Sequence, residues 1–154
     1  MVIFSRQLFQ DSSPLLTRQP DQPYRVLRTT NPSPYMVYLS IDGEEIMSTS
    51  PETLVRLENG RLTTFPVAGS RPRGRTPEED KVLEKDLLSD EKELSEHNML
   101  VDLGRNDLGK ISNFDSVEVT KYMMIHRYSK IMHICSQVES NIRSNCDGLS
   151  AIES

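Results

Sequence analysis

Tryptophan is absent from the 154 residues, lysine is absent from the first 76, and no proline follows Pro77. Cysteine occurs only as Cys135 and Cys146. Two such residues cannot build a disulfide framework, and they lack the paired spacing of a metal site. No apolar run approaches the ~18–20 residues of a membrane-spanning helix. The opening MVIFSRQLFQ lacks the charged, apolar and small-residue layout of a signal peptide. A net charge of −5 argues against nucleic acid and against anionic membrane surfaces as partners. These exclusions leave a soluble cytoplasmic protein as the expectation. At 36% hydrophobic the chain lies in the globular range, and its length fits one domain.

What is present is unevenly placed. Residues 1–76 carry nine arginines and seven acids, whereas residues 77–154 carry nine basic and sixteen acidic residues. That asymmetry predicts a cleft between oppositely charged walls. Val2-Ile3-Phe4 reads as a short strand, and one short helix is expected near Tyr24–Arg28. The β-branched and aromatic run Tyr35–Ile41 leads through Asp42-Gly43, a favoured hairpin turn, into Glu45–Thr49. A second turn at Glu58-Asn59-Gly60 precedes the strand Leu62–Val67. From Thr76, a plausible N-cap before Pro77, one helix is expected to run to about Leu103. Strand character returns at Val117–Thr120 and from Tyr128 to Val138. Strands, a long helix and strands again predict an α+β fold.

Three constellations could carry chemistry. In Pro66-Val67-Ala68-Gly69-Ser70-Arg71-Pro72-Arg73-Gly74-Arg75 a strand is expected to end in a small-residue turn followed by three arginines. Backbone N–H groups and guanidinium forks there suit a carboxylate or phosphate, and a solvated basic loop is the plain alternative. In Glu93-Leu94-Ser95-Glu96-His97 the two glutamates share a helix face with Leu100 and Leu103. Two like charges at that spacing suit a hard cation such as Mg²⁺, and a solvated acidic helix would look the same. His133 falls in an apolar strand with Ile131 and Cys135 on its face. It is either a satisfied core histidine or a general base working near neutral pH. The two cysteines read as inert.

Taken in order, these segments resemble the chorismate-utilising enzyme family, and within it the anthranilate synthase component I branch. The matching stretches are Pro34-Tyr35-Met36, Ser50-Pro51-Glu52, Phe65 to Gly74, Lys92 to His97, Met99-Leu100-Val101-Asp102-Leu103-Gly104-Arg105-Asn106-Asp107 and Arg127 to His133. The Met99–Asp107 block is the most specific. The resemblance implies the family's α/β sandwich of antiparallel sheets, here as an incomplete chorismate-binding domain over residues 1–154. It implies Glu96 as a direct ligand of the Mg²⁺ that holds the chorismate carboxylate, with Glu93 in the same acidic site. It implies that His133 transfers a proton or orients the substrate near the enolpyruvyl leaving group. Ala68, Gly69 and Ser70 match the segment that contacts the substrate, with serine where the family has threonine. The family reaction aminates chorismate with ammonia or glutamine and eliminates pyruvate to give anthranilate for tryptophan biosynthesis. A glutamine amidotransferase subunit is the implied partner. Pro34, Tyr35 and Met36 match the segment that contacts feedback tryptophan.

Within the family, Ala68 stands where aminodeoxychorismate synthases usually carry a lysine nucleophile, and alanine cannot attack a ring carbon. Direct ammonia chemistry is therefore favoured, with aminodeoxychorismate synthase as the alternative enzyme. A non-catalytic module that binds a carboxylate ligand or a partner chain is the alternative of another class. Family members continue past the position of Ser154 into a Gly-Thr-Leu-Ser-Gly-Ala-Pro-Lys motif and a second metal-binding glutamate. The expectation is that the chain is a middle piece of a larger domain, inactive alone, poorly soluble and a weak binder of Mg²⁺.

Overall fold

The computed structural model describes residues 21–154 other than 31 and 51, so the expected strand Val2–Phe4 and the matching position Pro51 lie outside the described residues. The chain divides into two compact units that meet at Leu54 and Val55.

The first unit contains α1 (Asp21–Thr30), β1 (Tyr35–Ile41) and β2 (Glu44–Ser50). β1 and β2 pair antiparallel from Tyr35↔Ser50 to Ile41↔Glu44. Asp42 and Gly43 close the hairpin with φ of 53° and 84°. Positive φ at both central residues gives the turn the twist of its flanking strands, which is why Asp-Gly marks it in the sequence. The Tyr24 hydroxyl donates to the Met36 carbonyl, and its ring lies 5.7 Å from that of Tyr38.

The second unit contains β3 (Arg56–Glu58), β4 (Arg61–Thr64), β5 (Val67–Pro72), α2 (Pro77–Leu87), α3 (Glu91–Ile111), β6 (Glu118–Arg127), β7 (Ile131–Asn141) and α4 (Ser150–Glu153). All strand pairs are antiparallel, so the α+β expectation holds. Asn59-Gly60 closes the β3–β4 hairpin with φ of 50° and 80°. β4 and β5 lie end to end along one side of β7, pairing Arg61↔Asn141 through Thr64↔Val138 and then Val67↔Cys135 through Pro72↔Ile131. The expected strand Leu62–Val67 is thus interrupted, because Pro66 has no N–H to give the ladder. Its carbonyl still accepts from Ser136 N–H at 3.0 Å, and the strand resumes where a turn was expected.

The expected single helix is two. Thr76 caps α2 as anticipated, its Oγ1 accepting from Glu79 N–H. The chain then leaves the helix at Leu88–Asp90, where the Ser89 hydroxyl bonds the Asp86 carbonyl. Asp90 starts α3 by accepting from the Lys92 and Glu93 N–H groups. Short polar side chains that satisfy backbone groups locally favour such junctions over helix interiors.

Both helices pack on one face of the sheet through two apolar clusters. Leu87, Met132 and Ile134 are fully buried, with Leu83 and Leu94 against them. Leu62, Val101, Leu108, Ile111, Val138 and Ala151 form the other. Alternation along β7 buries Met132, Ile134, Ser136, Val138 and Ser140, as a one-sided strand requires. Leu103, expected on the apolar side of the helix, is exposed.

α3 approaches β4 closely at Gly104, where a Cβ would sit 3.0 Å from Thr64 Cγ2, whereas one at Gly109 would meet nothing within 4 Å. Gly109→Ala should therefore raise the unfolding free energy by about 1 kcal/mol, the ordinary helix-propensity gain. Gly104→Ala should lower it, because its Cβ must displace the Thr64 methyl in a packed interface. Urea unfolding of the two variants checks the opposite signs.

Part of the charge asymmetry of the halves is met by ion pairs inside this unit. Arg61 pairs with Glu139 and Glu118, Arg71 with Asp86 and Asp90, and Arg73 with Asp80. The Arg73 guanidinium, together with the Gly74 N–H, holds the Asp80 carboxyl below the usual carboxylate range. The unfolded carboxyl takes its proton near pH 4. The stability from this pairing is thus complete above about pH 4 and is lost as pH falls through the lower folded-state value. Asp80→Asn should start less stable and show a shallower acid limb in urea midpoints measured from pH 7 to pH 3.

Candidate active site

The residues expected to form the site lie on β5, β7 and α3. β5 and β7 place Ser70 directly opposite His133, and the register slips by one residue between Ala68 and Ser70. Gly69 is the extra residue of that bulge, at φ 75°. Glycine adopts this conformation without the Cβ penalty that other residues meet. The Gly69 carbonyl accepts from His133 Nδ1 at 3.1 Å. A carbonyl can only accept, so the neutral imidazole keeps its proton on Nδ1 and leaves the Nε2 lone pair free. The Tyr128 ring meets the imidazole edge-on, with centroids 5.7 Å apart.

The other side of Gly69 faces α3. A Cβ there would lie 3.2 Å from each of Glu93 Oε2, Ile134 Cδ1 and Leu87 Cδ1. The glycine therefore lets the Glu93 carboxylate approach β5, the strand that pairs with β7 at His133. Ala68 is buried opposite Ile134, and Ser70 is exposed. Glu96, one turn beyond Glu93, is exposed and has no hydrogen bond or ion pair among the described residues. Gly69 thus stands between His133 and Ser70 on one face of the sheet and Glu93 on the helix face, and Glu96 lies one helical turn beyond Glu93.

Two of the three arginines of this segment, Arg71 and Arg73, hold carboxylates of the chain where their forks were expected to meet a ligand, whereas Arg75 is exposed. Arg71 donates to Asp86 Oδ2 at 2.6 Å and to Asp90 Oδ2 at 2.9 Å, and lies 3.9 Å from Glu93 Oε1. Its hydrogen bond, with the Glu93 N–H, keeps the Asp90 carboxyl below the usual range. Arg73 chelates Asp80 through Nε and Nη2 and donates to the Tyr128 carbonyl. These bonds pin β5 to α2, to α3 and to the β6–β7 turn. They supply rigidity where the sequence suggested anion binding.

Two side chains of this region were not singled out by the sequence. Asp90 caps α3, and an Asp followed three residues on by Glu93 is an N-terminal capping pattern. His97 is completely buried, and its Nε2 lies 2.6 Å from Ser136 Oγ. Burial holds its pKa below the ordinary histidine value. Pro34, Tyr35 and Met36 belong to the other unit, where the Tyr35 hydroxyl meets Thr53 Oγ1 at 2.5 Å.

Among the described residues, no group of three or more His, Cys, Asp or Glu side chains is arranged to hold a metal ion. Glu93 and Glu96 alone offer two carboxylates one turn apart. That donor set fits Mg²⁺, which keeps its waters and binds through one or two carboxylates plus substrate oxygens.

Comparison with known proteins places this geometry in a family. Anthranilate synthase component 1 of Aquifex aeolicus is 57% identical over 134 residues, covering 87% of this chain and 27% of that protein. The protein of the same name from Methanothermobacter marburgensis is 57% identical over 129 residues, covering 84% of this chain and 28% of its own length. The crystal structure of anthranilate synthase component I from Streptococcus pneumoniae superposes with a TM-score of 0.76 at 46% identity, covering 84% of this chain and 28% of that one. The chain thus spans little more than a quarter of these relatives. The profile of the chorismate binding enzymes matches residues 1–154 throughout, and the chain belongs to that family.

Proposed function

We propose that the chain supplies the His133, Gly69–Ser70 and Glu93–Glu96 part of an anthranilate synthase component I. In this reading chorismate and ammonia, the latter drawn from glutamine by an amidotransferase partner, become anthranilate, pyruvate and water in cytoplasmic tryptophan biosynthesis. The observation that carries it is the shared use of Gly69, whose carbonyl orients His133 while its bare Cα admits Glu93. Identity of 57% to proteins of that name supports the choice of reaction.

The residues divide the work by chemistry. His133, with Nε2 free, can take or return a proton at the enolpyruvyl side of the substrate. The exposed Ser70 hydroxyl, opposite it on β5, can hydrogen-bond the substrate from the same sheet face. Glu93 and Glu96 would hold Mg²⁺, which when bound supplies positive charge to the substrate carboxylate. Ala68 carries no nucleophile and is buried against Ile134, so attack on the ring falls to ammonia rather than to the protein.

The test is a hybrid in which this chain replaces the matching segment of the Aquifex aeolicus relative. With chorismate, Mg²⁺ and ammonium, the hybrid should develop anthranilate fluorescence and release pyruvate. A folded hybrid that leaves chorismate unchanged would overturn the reading, and one that forms a para-amino product would replace it with the aminodeoxychorismate alternative.

A further inference from the structure

His97 faces inward from α3 beside Leu94 and Val101, yet an imidazole is a poor choice for an apolar interface. Its Nδ1 is buried with no hydrogen-bond partner among the described residues. A buried polar atom without a partner costs free energy that a leucine of similar size would not. What the imidazole does supply is a single hydrogen bond, between Nε2 and Ser136 Oγ. Ser136 lies three residues along β7 from His133 and is itself buried. Its hydroxyl oxygen also accepts from Met123 N–H at 3.0 Å. Met123 is an irregular residue of β6, at φ 50° within the register slip between Lys121 and Met124. One serine therefore ties helix α3 and the bulge of β6 to the strand that carries His133. Next to His97, Asn98 accepts from the Tyr122 hydroxyl and fixes the same helical turn to β6.

We propose that His97 is a positioning residue: through Ser136 it sets the axial register of α3, and with it Glu93 and Glu96, against the β7 strand that presents His133. This rests on the functional reading above, since it gives the carboxylates and the imidazole one substrate. Apolar packing alone tolerates small slides of a helix along a sheet, whereas a hydrogen bond of fixed length does not. Groups that orient metal-binding side chains in this way typically matter by about 10–100-fold in metal affinity or activity.

The test compares His97→Leu and His97→Gln in the hybrid described above. Leucine fills the space without the bond, and the glutamine amide, which can donate or accept, can again hydrogen-bond Ser136 Oγ. His97→Leu should raise the half-saturating Mg²⁺ concentration about tenfold or more and lower kcat. It should also speed amide hydrogen exchange at Met123 and across the first two turns of α3, leaving β3 and β4 unchanged. His97→Gln should restore most of both. Exchange in α3 and β6 that is the same in His97→Leu as in the parent overturns the proposal whatever the turnover. So does a glutamine variant as impaired as the leucine one. A folded parent hybrid that makes no anthranilate sinks the functional reading and the catalytic half of this proposal. The exchange comparison then still decides whether His97 anchors the helix.

Discussion

Replacing Gly69 by valine should cost about 2–5 kcal/mol of stability and abolish most activity of the hybrid enzyme. The backbone there has φ 75°, where an L residue carries a penalty of about 1–2 kcal/mol and a β-branched one more. The new Cβ would also stand 3.2 Å from Leu87 Cδ1 and Ile134 Cδ1, two fully buried groups of the smaller core, and overpacking of that kind costs about 1–3 kcal/mol. The third neighbour at 3.2 Å is Glu93 Oε2, so the carboxylate must move as the core does. Relief of the φ strain by flattening the bulge would turn the Gly69 carbonyl away from His133. Stability and the site are thus coupled at one residue. Urea unfolding and anthranilate fluorescence on the same preparation should fall together. A valine variant with unchanged midpoint and turnover would show that the bulge is not required.

His133→Ala should lower anthranilate formation by about 10²–10⁴-fold, the usual contribution of a positioned acid–base group. The imidazole is half-buried on the sheet face away from the helices, bonded among the described residues by Nδ1 to Gly69 and touched by the Tyr128 edge. Its removal leaves the apolar clusters intact, so the melting temperature should change little. That contrast separates it from the Gly69 substitution. A variant that keeps parental turnover would return His133 to the role of a satisfied structural histidine.

Much of the fold was legible because its signals are local. Asp42-Gly43 and Asn59-Gly60 announce their hairpins through residues that accept positive φ, and Thr76-Pro77 announces α2 through cap chemistry. The errors lie where long-range pairing or a short polar junction decides. Nothing near Gly69-Ser70 reveals that β5 continues the line of β4, because the partner strand β7 lies more than sixty residues further on. The helix break at Leu88–Asp90 rests on two polar side chains that equally suit a solvated helix face.

The site shows the same division. Spacing alone left the acidic pair and His133 as ordinary surface and core residues, and the family resemblance was needed to connect them. Arg71 and Arg73 misled in the opposite direction: their forks suggested an anion site, yet Asp86, Asp90 and Asp80 already occupy them. His97 was silent because a buried histidine leaves no periodic signature beyond that of any inward residue. Its bond to Ser136 joins positions 39 residues apart.

The central claim is that Gly69 holds His133 with its proton on Nδ1, so that Nε2 is presented bare. Long-range ¹H–¹⁵N correlation of the histidine side chains in ¹⁵N-labelled protein, with His133→Ala used for assignment, tests it directly. The neutral His133 ring should show a protonated Nδ1 and an unprotonated Nε2. A ring protonated on Nε2 would mean that the Gly69 carbonyl does not orient it, and the proposed role of His133 would fail with that bond.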